Sequence, residues 1–132
     1  MSVPVKVLRP RKVESNTIQV NTGCGHMYVT VEFLSGKPIG VFASLGKSGG
    51  CGAAQNEALG RAISLGLKYG VPPEDFLDEL KGVRCPNPKN FPKEQRCLSC
   101  AEGVAIALAE CLGIELYSNG DGLLKNEETN EN

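Results

Sequence analysis

The sequence is poor in aromatic residues and in histidine. It contains no tryptophan, three tyrosines, four phenylalanines and one histidine among 132 residues. A single domain of this length can bury one ordinary core, which here must be mainly aliphatic. Fourteen basic and fifteen acidic side chains leave a net charge of −1, so binding to nucleic acid is not expected.

A long apolar run is also missing. The first twelve residues, MSVPVKVLRPRK, show neither a signal peptide nor a stretch long enough to cross a bilayer. We therefore expect a cytoplasmic protein without membrane contact. In that compartment, six cysteines indicate metal ligands, redox thiols or small buried side chains rather than a disulfide framework.

The loop SLGKSGGCG, residues 44–52, contains part of a phosphate-binding signature. A Walker A loop has the pattern G-x4-G-K-[ST], which requires glycine at position 41, where this chain has Val41. The loop therefore does not indicate a nucleotide triphosphatase. Lys47, Ser48 and Gly49 remain candidates for an anion site built from backbone N–H groups, and the alternative is a glycine-rich turn that leads into a helix.

Alternating apolar and polar residues dominate the first third of the chain. The segments TIQVNT, HMYVTVEFL and PIGVFASL predict three strands, and SGKP predicts the turn between the last two. Met27, Val29 and Val31 fall on one face of the second strand, opposite Tyr28 and Glu32. An antiparallel sheet with one buried face is therefore expected.

From residue 50 the apolar period becomes helical. CGAAQNEALGRAISLGLKYGVP repeats small and apolar residues at i and i+4, and the next predicted helix begins at Pro73 and ends before Gly82. A third helix begins with a capping box formed by Ser99 and Glu102 and ends at Gly113. The fold class is α+β: a small antiparallel sheet of about three strands packed against two longer helices and one short helix, with a cysteine-rich metal site.

The ends of the chain differ from its middle in charge. We assign residues 1–12 to a basic lead-in, 13–117 to the domain and 118–132 to an acidic, disordered tail. Alanine-rich helix faces would permit a homo-oligomer. Glu57, Glu102 and Glu110 are interpreted as helix-surface charges, so a carboxylate pair for acid–base catalysis is not indicated.

Four cysteines fall at the ends of predicted elements, where folding can bring them together. Cys24 lies in a glycine-flanked hairpin turn, and Cys85 follows a helix and precedes Pro86. Cys51 and Cys100 lie at helix N-termini, where partial positive charge favours the thiolate that binds metals or attacks disulfides.

Two further cysteines and the histidine have other interpretations. Cys97 and Cys100 form a C-x2-C pair, a spacing found both in zinc sites and in redox dithiols. Several thiols at element ends favour a shared metal, while a redox pair and purely structural thiols remain alternatives. Cys111 is interpreted as a small buried hydrophobic residue, and His26 as a solvent-facing strand residue rather than a ligand.

Three segments together resemble one known family. TGCGHMYVTVEF, GVFASLGKSGGCGAAQNEALGRAISLGLKYGVPPEDFLDELKGVRCP and LSCAEGVAIALAE are similar to the TSCPD domain, which lies near the C-terminus of class II, adenosylcobalamin-dependent ribonucleotide reductases. The resemblance runs in order from about Leu8 to Gly113. It implies that Cys24, Cys51, Cys85 and Cys100 form a metal site.

The metal that this resemblance implies is Zn²⁺, and an iron–sulfur cluster on the same thiolates is the alternative. Cys97 matches no family position and is a possible substitute ligand. The name-giving T-S-C-P-D motif reads L-S-C-A-E here, so Leu98, Ala101 and Glu102 replace its Thr, Pro and Asp.

The reductase barrel, the radical-carrying cysteine loop and the cobalamin-binding region are missing from this sequence. We therefore expect an accessory or regulatory domain that is not catalytic alone. Its expected partner is the large subunit of a ribonucleotide reductase. A thiol redox or iron–sulfur carrier that uses Cys97 and Cys100 is the alternative function.

Overall fold

The computed structural model describes residues 5–45 and 50–117. Its elements follow the predicted order. The strands are β1 (Glu14–Thr22), β2 (Gly25–Leu34) and β3 (Lys37–Leu45), and the helices are α1 (Gly50–Lys68), α2 (Pro73–Leu80) and α3 (Cys100–Leu112), with a 3-10 turn at Lys93–Gln95. The predicted α+β class is confirmed.

The sheet is an antiparallel meander in the order β1-β2-β3. Ser35 and Gly36 connect β2 to β3 with φ angles of 53° and 80°, as a tight hairpin turn with the right-handed twist of the sheet requires. A bulge interrupts the second pairing, where Glu32 lies opposite Gly40 but Phe33 lies opposite Pro38.

The core lies between the inner face of the sheet and the helices. Met27, Val29 and Val31 on β2 are fully buried, as the alternating pattern predicts. Val104 and Leu108 of α3 are also fully buried and belong to the same cluster. The core is therefore mainly aliphatic, with the flexible Met27 side chain among its fully buried members.

Helix α1 runs along the outer edge of β3. Ser64 Oγ accepts a hydrogen bond from the Val41 N–H at 2.8 Å and donates one to the Val41 carbonyl at 3.0 Å. Lys68 Nζ donates to the Ile39 carbonyl at 3.0 Å. Gly60 permits this approach, because a Cβ atom there would lie 2.9 Å from the Val41 carbonyl oxygen. The helix thus satisfies edge groups that a neighbouring strand would otherwise bind.

The predicted helix ends are confirmed, but only the Ser99 half of the predicted capping box forms, because the Glu102 carboxylate accepts from the Leu98 N–H instead of the Ser99 N–H. Helix α2 begins at Pro73 and is followed by Gly82 with a φ of 85°. Ser99 caps α3 by accepting a hydrogen bond from the Glu102 N–H at 3.0 Å, and Gly113 ends it in the left-handed conformation. Among the described residues, no helix is both long and apolar enough to span a membrane.

The segment between α2 and α3 is mostly irregular, with one isolated bridge between Lys89 and Cys97 besides the 3-10 turn. Two other predictions, the anion site at Lys47, Ser48 and Gly49 and the disordered tail at 118–132, lie outside the described residues.

Candidate metal centre

Three of the four predicted ligands come from segments that the fold brings together. Cys24 lies in the turn between β1 and β2, Cys85 follows α2, and Cys100 is the first residue of α3. Asn87 connects the first two of these segments. Its backbone N–H donates to Cys85 Sγ at 3.3 Å, and its side-chain Nδ2 lies 3.9 Å from Cys24 Sγ.

Gly23 makes the approach of these two segments possible. Its carbonyl oxygen accepts a 2.7 Å hydrogen bond from Asn87 Nδ2. A Cβ atom at position 23 would lie only 1.8 Å from the Asn87 carbonyl oxygen. Since that distance is far below a van der Waals contact, the turn that carries Cys24 reaches Asn87 only because residue 23 has no side chain.

A second set of contacts joins the Cys85 segment to the start of α3. The Cys85 N–H donates to the Leu98 carbonyl at 3.0 Å, and Ser99 Oγ donates to the Val83 carbonyl at 2.6 Å. The residues that precede Cys100 are therefore tied by hydrogen bonds to those that precede and include Cys85. The residues that form the N-terminal cap of α3 therefore also fix the positions of the candidate ligands Cys85 and Cys100.

Cys100 lies between these neighbours and is half-buried. Burial raises the pKa of its thiol, while hydrogen bonds with Asn56 and Thr22 oppose that shift. The nearby charges of Cys24 and Cys85, when ionised, raise the pKa of Cys100 further. The raised pKa of Cys100 thus reports that the thiols of Cys24 and Cys85 lie near it, because like charges disfavour each other.

Cys51 is exposed in the first turn of α1, and its meeting with the other three cysteines stays a prediction. Among the described residues, no group of three or more cysteine, histidine or acidic side chains lies close enough together to hold a metal ion. The donor chemistry of Cys24, Cys85 and Cys100 fits a soft thiolate site, and the N–H donor on Cys85 Sγ is the kind of outer contact that such sites use.

Cys97, the possible substitute ligand, is a core residue. Its side chain is fully buried, and its Sγ donates to the Ser99 carbonyl at 3.1 Å. Burial is the main reason why the pKa of the Cys97 thiol rises to about 12. Cys111 is half-buried and packs against the hydrophobic core, in agreement with its interpretation as a small hydrophobic residue.

Glu102 is not the helix-surface charge that the sequence predicts, whereas Glu57 and Glu110 are exposed as expected. Only 1% of Glu102 is exposed. Its Oε2 accepts from the Gly82 N–H at 2.8 Å and its Oε1 from the Leu98 N–H at 2.9 Å, and the Tyr117 hydroxyl also donates to it. The capping signal predicted the position of Glu102 but not the distant donors that make its burial possible.

His26 is exposed on β2, as predicted, and its Nδ1 is hydrogen-bonded to Asn21 Oδ1. Asn21 lies directly opposite His26 in the register of β1 and β2. The hydrogen bond of His26 therefore belongs to the strand pair and does not involve the candidate ligand cysteines.

Comparison with known proteins gives one match. The family model described as the TSCPD domain matches residues 3–112. Searches of the curated proteins and of the solved structures return no match.

Proposed function

Since the chain belongs to the TSCPD domain family, we propose that it is a zinc-binding accessory domain. Cys24, Cys85 and Cys100 would hold the metal, and Cys51 would supply the fourth thiolate. The observation that carries the proposal is the position of Asn87, which contacts the sulfur atoms of both Cys24 and Cys85. Two sequence-distant cysteines thereby share one neighbour, and both lie close enough to Cys100 to influence the pKa of its thiol.

Zn²⁺ held by four thiolates has no open coordination position and supplies a structural cross-link rather than a reaction. The residues of this chain would position the ligands for it. Asn87 holds the Cys85 sulfur and the Gly23 carbonyl, while Ser99 and Glu102 fix the start of α3. Structural zinc contributes about 10–16 kcal/mol in small peptides, so it could dominate the stability of a domain of this size.

The link to deoxyribonucleotide synthesis rests on the family resemblance. We propose that the domain binds the large subunit of an adenosylcobalamin-dependent ribonucleotide reductase and supports it without being catalytic alone. Affinity capture with the zinc-loaded chain, against purified large subunit, tests this. We expect saturable binding that the C24S/C100S double variant loses, and the absence of binding by the loaded chain would contradict it.

The two alternative functions, a thiol redox carrier and an iron–sulfur carrier, predict different experimental results. A redox couple of Cys97 and Cys100 needs an accessible thiolate, whereas the Cys97 side chain is fully buried and hydrogen-bonded to a carbonyl. This favours the metal centre over the redox pair. An iron–sulfur cluster would use the same thiolates as zinc, so the identity of the bound metal distinguishes those two.

The deciding experiment is the metal content and free-thiol count of chain purified without added metal. We expect about one zinc per chain, with four thiols protected from alkylation. C24S and C100S should each lose metal and unfold more easily, whereas the control C111S should keep both metal and stability. A coloured, iron-containing preparation would favour the cluster instead.

Two results would overturn the site altogether. One is a C24S/C100S double variant that stays folded and fully loaded with metal. The other is a metal-free parent chain in which Cys97 and Cys100 are oxidised to a disulfide.

A further inference from the structure

A cavity of about 520 Å³ lies between β1, the 3-10 turn and α3, and none of the six cysteines lines it. Ile18, Ile106 and Leu116 form an apolar wall. These three residues pack against the hydrophobic core but are only partly buried. The volume lies within the range of ligand pockets, so the cavity has room for two aliphatic side chains against this wall.

The charged residues of the lining include both signs in equal number. Lys93 and Arg96 are basic, and Glu94 and Glu110 are acidic. Among the described residues, the ion pairs are formed by other side chains. A ligand of one charge gains little from such a lining, whereas an apolar segment flanked by one acid and one base finds an opposite charge for each.

The chain continues from the wall of this cavity into a segment of that kind. Tyr117 lines the cavity, and its hydroxyl donates to the buried Glu102, so the start of the segment is fixed at the wall. Residues 118–132 contain two apolar side chains, Leu123 and Leu124. They are the only residues of this segment that can cover the apolar wall.

The two leucines are flanked by opposite charges and preceded by turn signals. Asp121 stands two residues before the pair, and Lys125 follows it directly. The residues between Tyr117 and the pair read SNGDG, in which Asn-Gly and Asp-Gly each favour a reversal of the chain. The sequence therefore predicts that the leucines turn back toward the wall from which the segment starts.

The distance that the segment must cover is short. Leu123 is six residues after Tyr117, a reach of at most about 20 Å when the chain is extended. A tether of this length gives an effective concentration on the order of millimolar. A dissociation constant below about 1 mM is then enough to keep the cavity occupied for more than half of the time.

We infer that the leucine pair at residues 123–124 binds in this cavity of the same chain, against its apolar wall. Asp121 and Lys125 then each meet an opposite charge of the lining. The bound segment ends at Lys125, so the acidic residues that follow it remain outside the cavity. The inference goes beyond the proposed zinc site and does not depend on it, because no cysteine lines the cavity.

The direct test is an NMR measurement on the full chain with labelled methyl groups. We expect NOE cross-peaks that join the methyl groups of Leu123 or Leu124 to those of Ile18 and Ile106. The double variant Leu123→Ser/Leu124→Ser should shift both isoleucine signals. The matched control is Leu8→Ser, which changes an exposed leucine outside the cavity lining and should leave these signals in place.

A competition experiment measures how far the cavity is occupied. The peptide NGDGLLKN, residues 119–126 of the chain, should bind the double variant in a saturable way and return its isoleucine signals toward their parent positions. The control peptide NGDGSSKN should not. The parent should bind NGDGLLKN at least about twofold more weakly than the double variant, because only the fraction of chains with a free cavity can bind it. Circular dichroism checks that each variant is folded.

Three outcomes would overturn the inference. One is a parent chain without leucine–isoleucine cross-peaks, whose isoleucine signals match those of the double variant. Another is equal affinity of the parent and the double variant for NGDGLLKN. The third is a set of cross-peaks that arises only between chains in a mixture of two differently labelled samples, which would identify the occupant as the segment of a second copy.

Discussion

The side-chain amide of Asn87 donates a 2.7 Å hydrogen bond to the carbonyl oxygen of Gly23, 64 residues earlier in the chain. This bond joins the first hairpin turn to the segment after α2. Cys24 and Cys85 each lie within two residues of a bonded partner. The contact is therefore the local reason why two distant cysteines become neighbours.

Replacing Gly23 by alanine should separate these segments. The new Cβ would overlap the backbone carbonyl of Asn87, which cannot rotate away as a side chain can. We expect a loss of about 1–3 kcal/mol in the free energy of unfolding, as for other overpacked sites. Urea denaturation measures it. Asn87→Ala is the control, since it removes the hydrogen bond without a clash and should cost about 1 kcal/mol. A Gly23→Ala chain as stable as the parent would contradict the close approach.

Glu102→Gln should destabilise the start of α3. An amide keeps one acceptor oxygen and turns an NH₂ group toward N–H donors that now bind a carboxylate. We expect a loss of about 1–3 kcal/mol, because buried donors are left unpaired. Glu110→Gln, at an exposed position of the same helix, should change stability by less than about 0.5 kcal/mol. Equal thermal midpoints for the two variants would show that the buried contacts of Glu102 contribute nothing.

Ser64→Ala should weaken the contact between α1 and β3. The variant leaves both the N–H and the carbonyl of Val41 without their buried partner. We expect it to cost about 1–3 kcal/mol and to speed hydrogen exchange at the Val41 amide. The control is Ser44→Ala, which changes an exposed serine on β3, the strand that contains Val41. Unchanged exchange at Val41 in Ser64→Ala would refute the role assigned to this hydroxyl.

The ion pair of Arg9 and Glu32 predicts a dependence of stability on pH. Hydrogen bonds from Arg9 lower the pKa of the Glu32 carboxyl, against the opposing effect of burial. Because the folded-state pKa lies below the unfolded value of about 4.3, the pair adds stability above that pH. That contribution is lost as the pH falls through the lowered pKa.

Urea denaturation of the parent and Arg9→Gln at pH 7 and pH 3 tests this dependence. The difference in stability should be present at pH 7 and smaller at pH 3, and it should also shrink in high salt. Arg11→Gln, another exposed arginine nearby, should show no such difference. If the difference in the free energy of unfolding between the parent and Arg9→Gln were the same at both pH values, the ion pair would be excluded as its cause.

Local signals were enough to predict the elements. The alternation of apolar and polar residues predicted the inward-facing positions of β2. Pro73, Ser99 and Gly113 marked helix ends correctly, because capping depends on neighbouring residues. Glu102 was misinterpreted because its donors Gly82 and Tyr117 are distant in sequence.

The candidate metal centre also combines features that local sequence signals predict with features that depend on distant contacts. Element ends predicted which cysteines could meet, but the contact through Asn87 depends on tertiary approach and has no local signature.

The position of α1 along β3 also limits how copies of this domain can associate through their sheets. With Val41 and Ile39 bonded to the helix, β1 is the edge of the described sheet at which a further strand can be added. A sheet that grows into a fibre needs two open edges per molecule. Where α1 covers β3, edge-to-edge pairing of the described sheet would have to use β1, and pairing through one edge alone would stop at two copies.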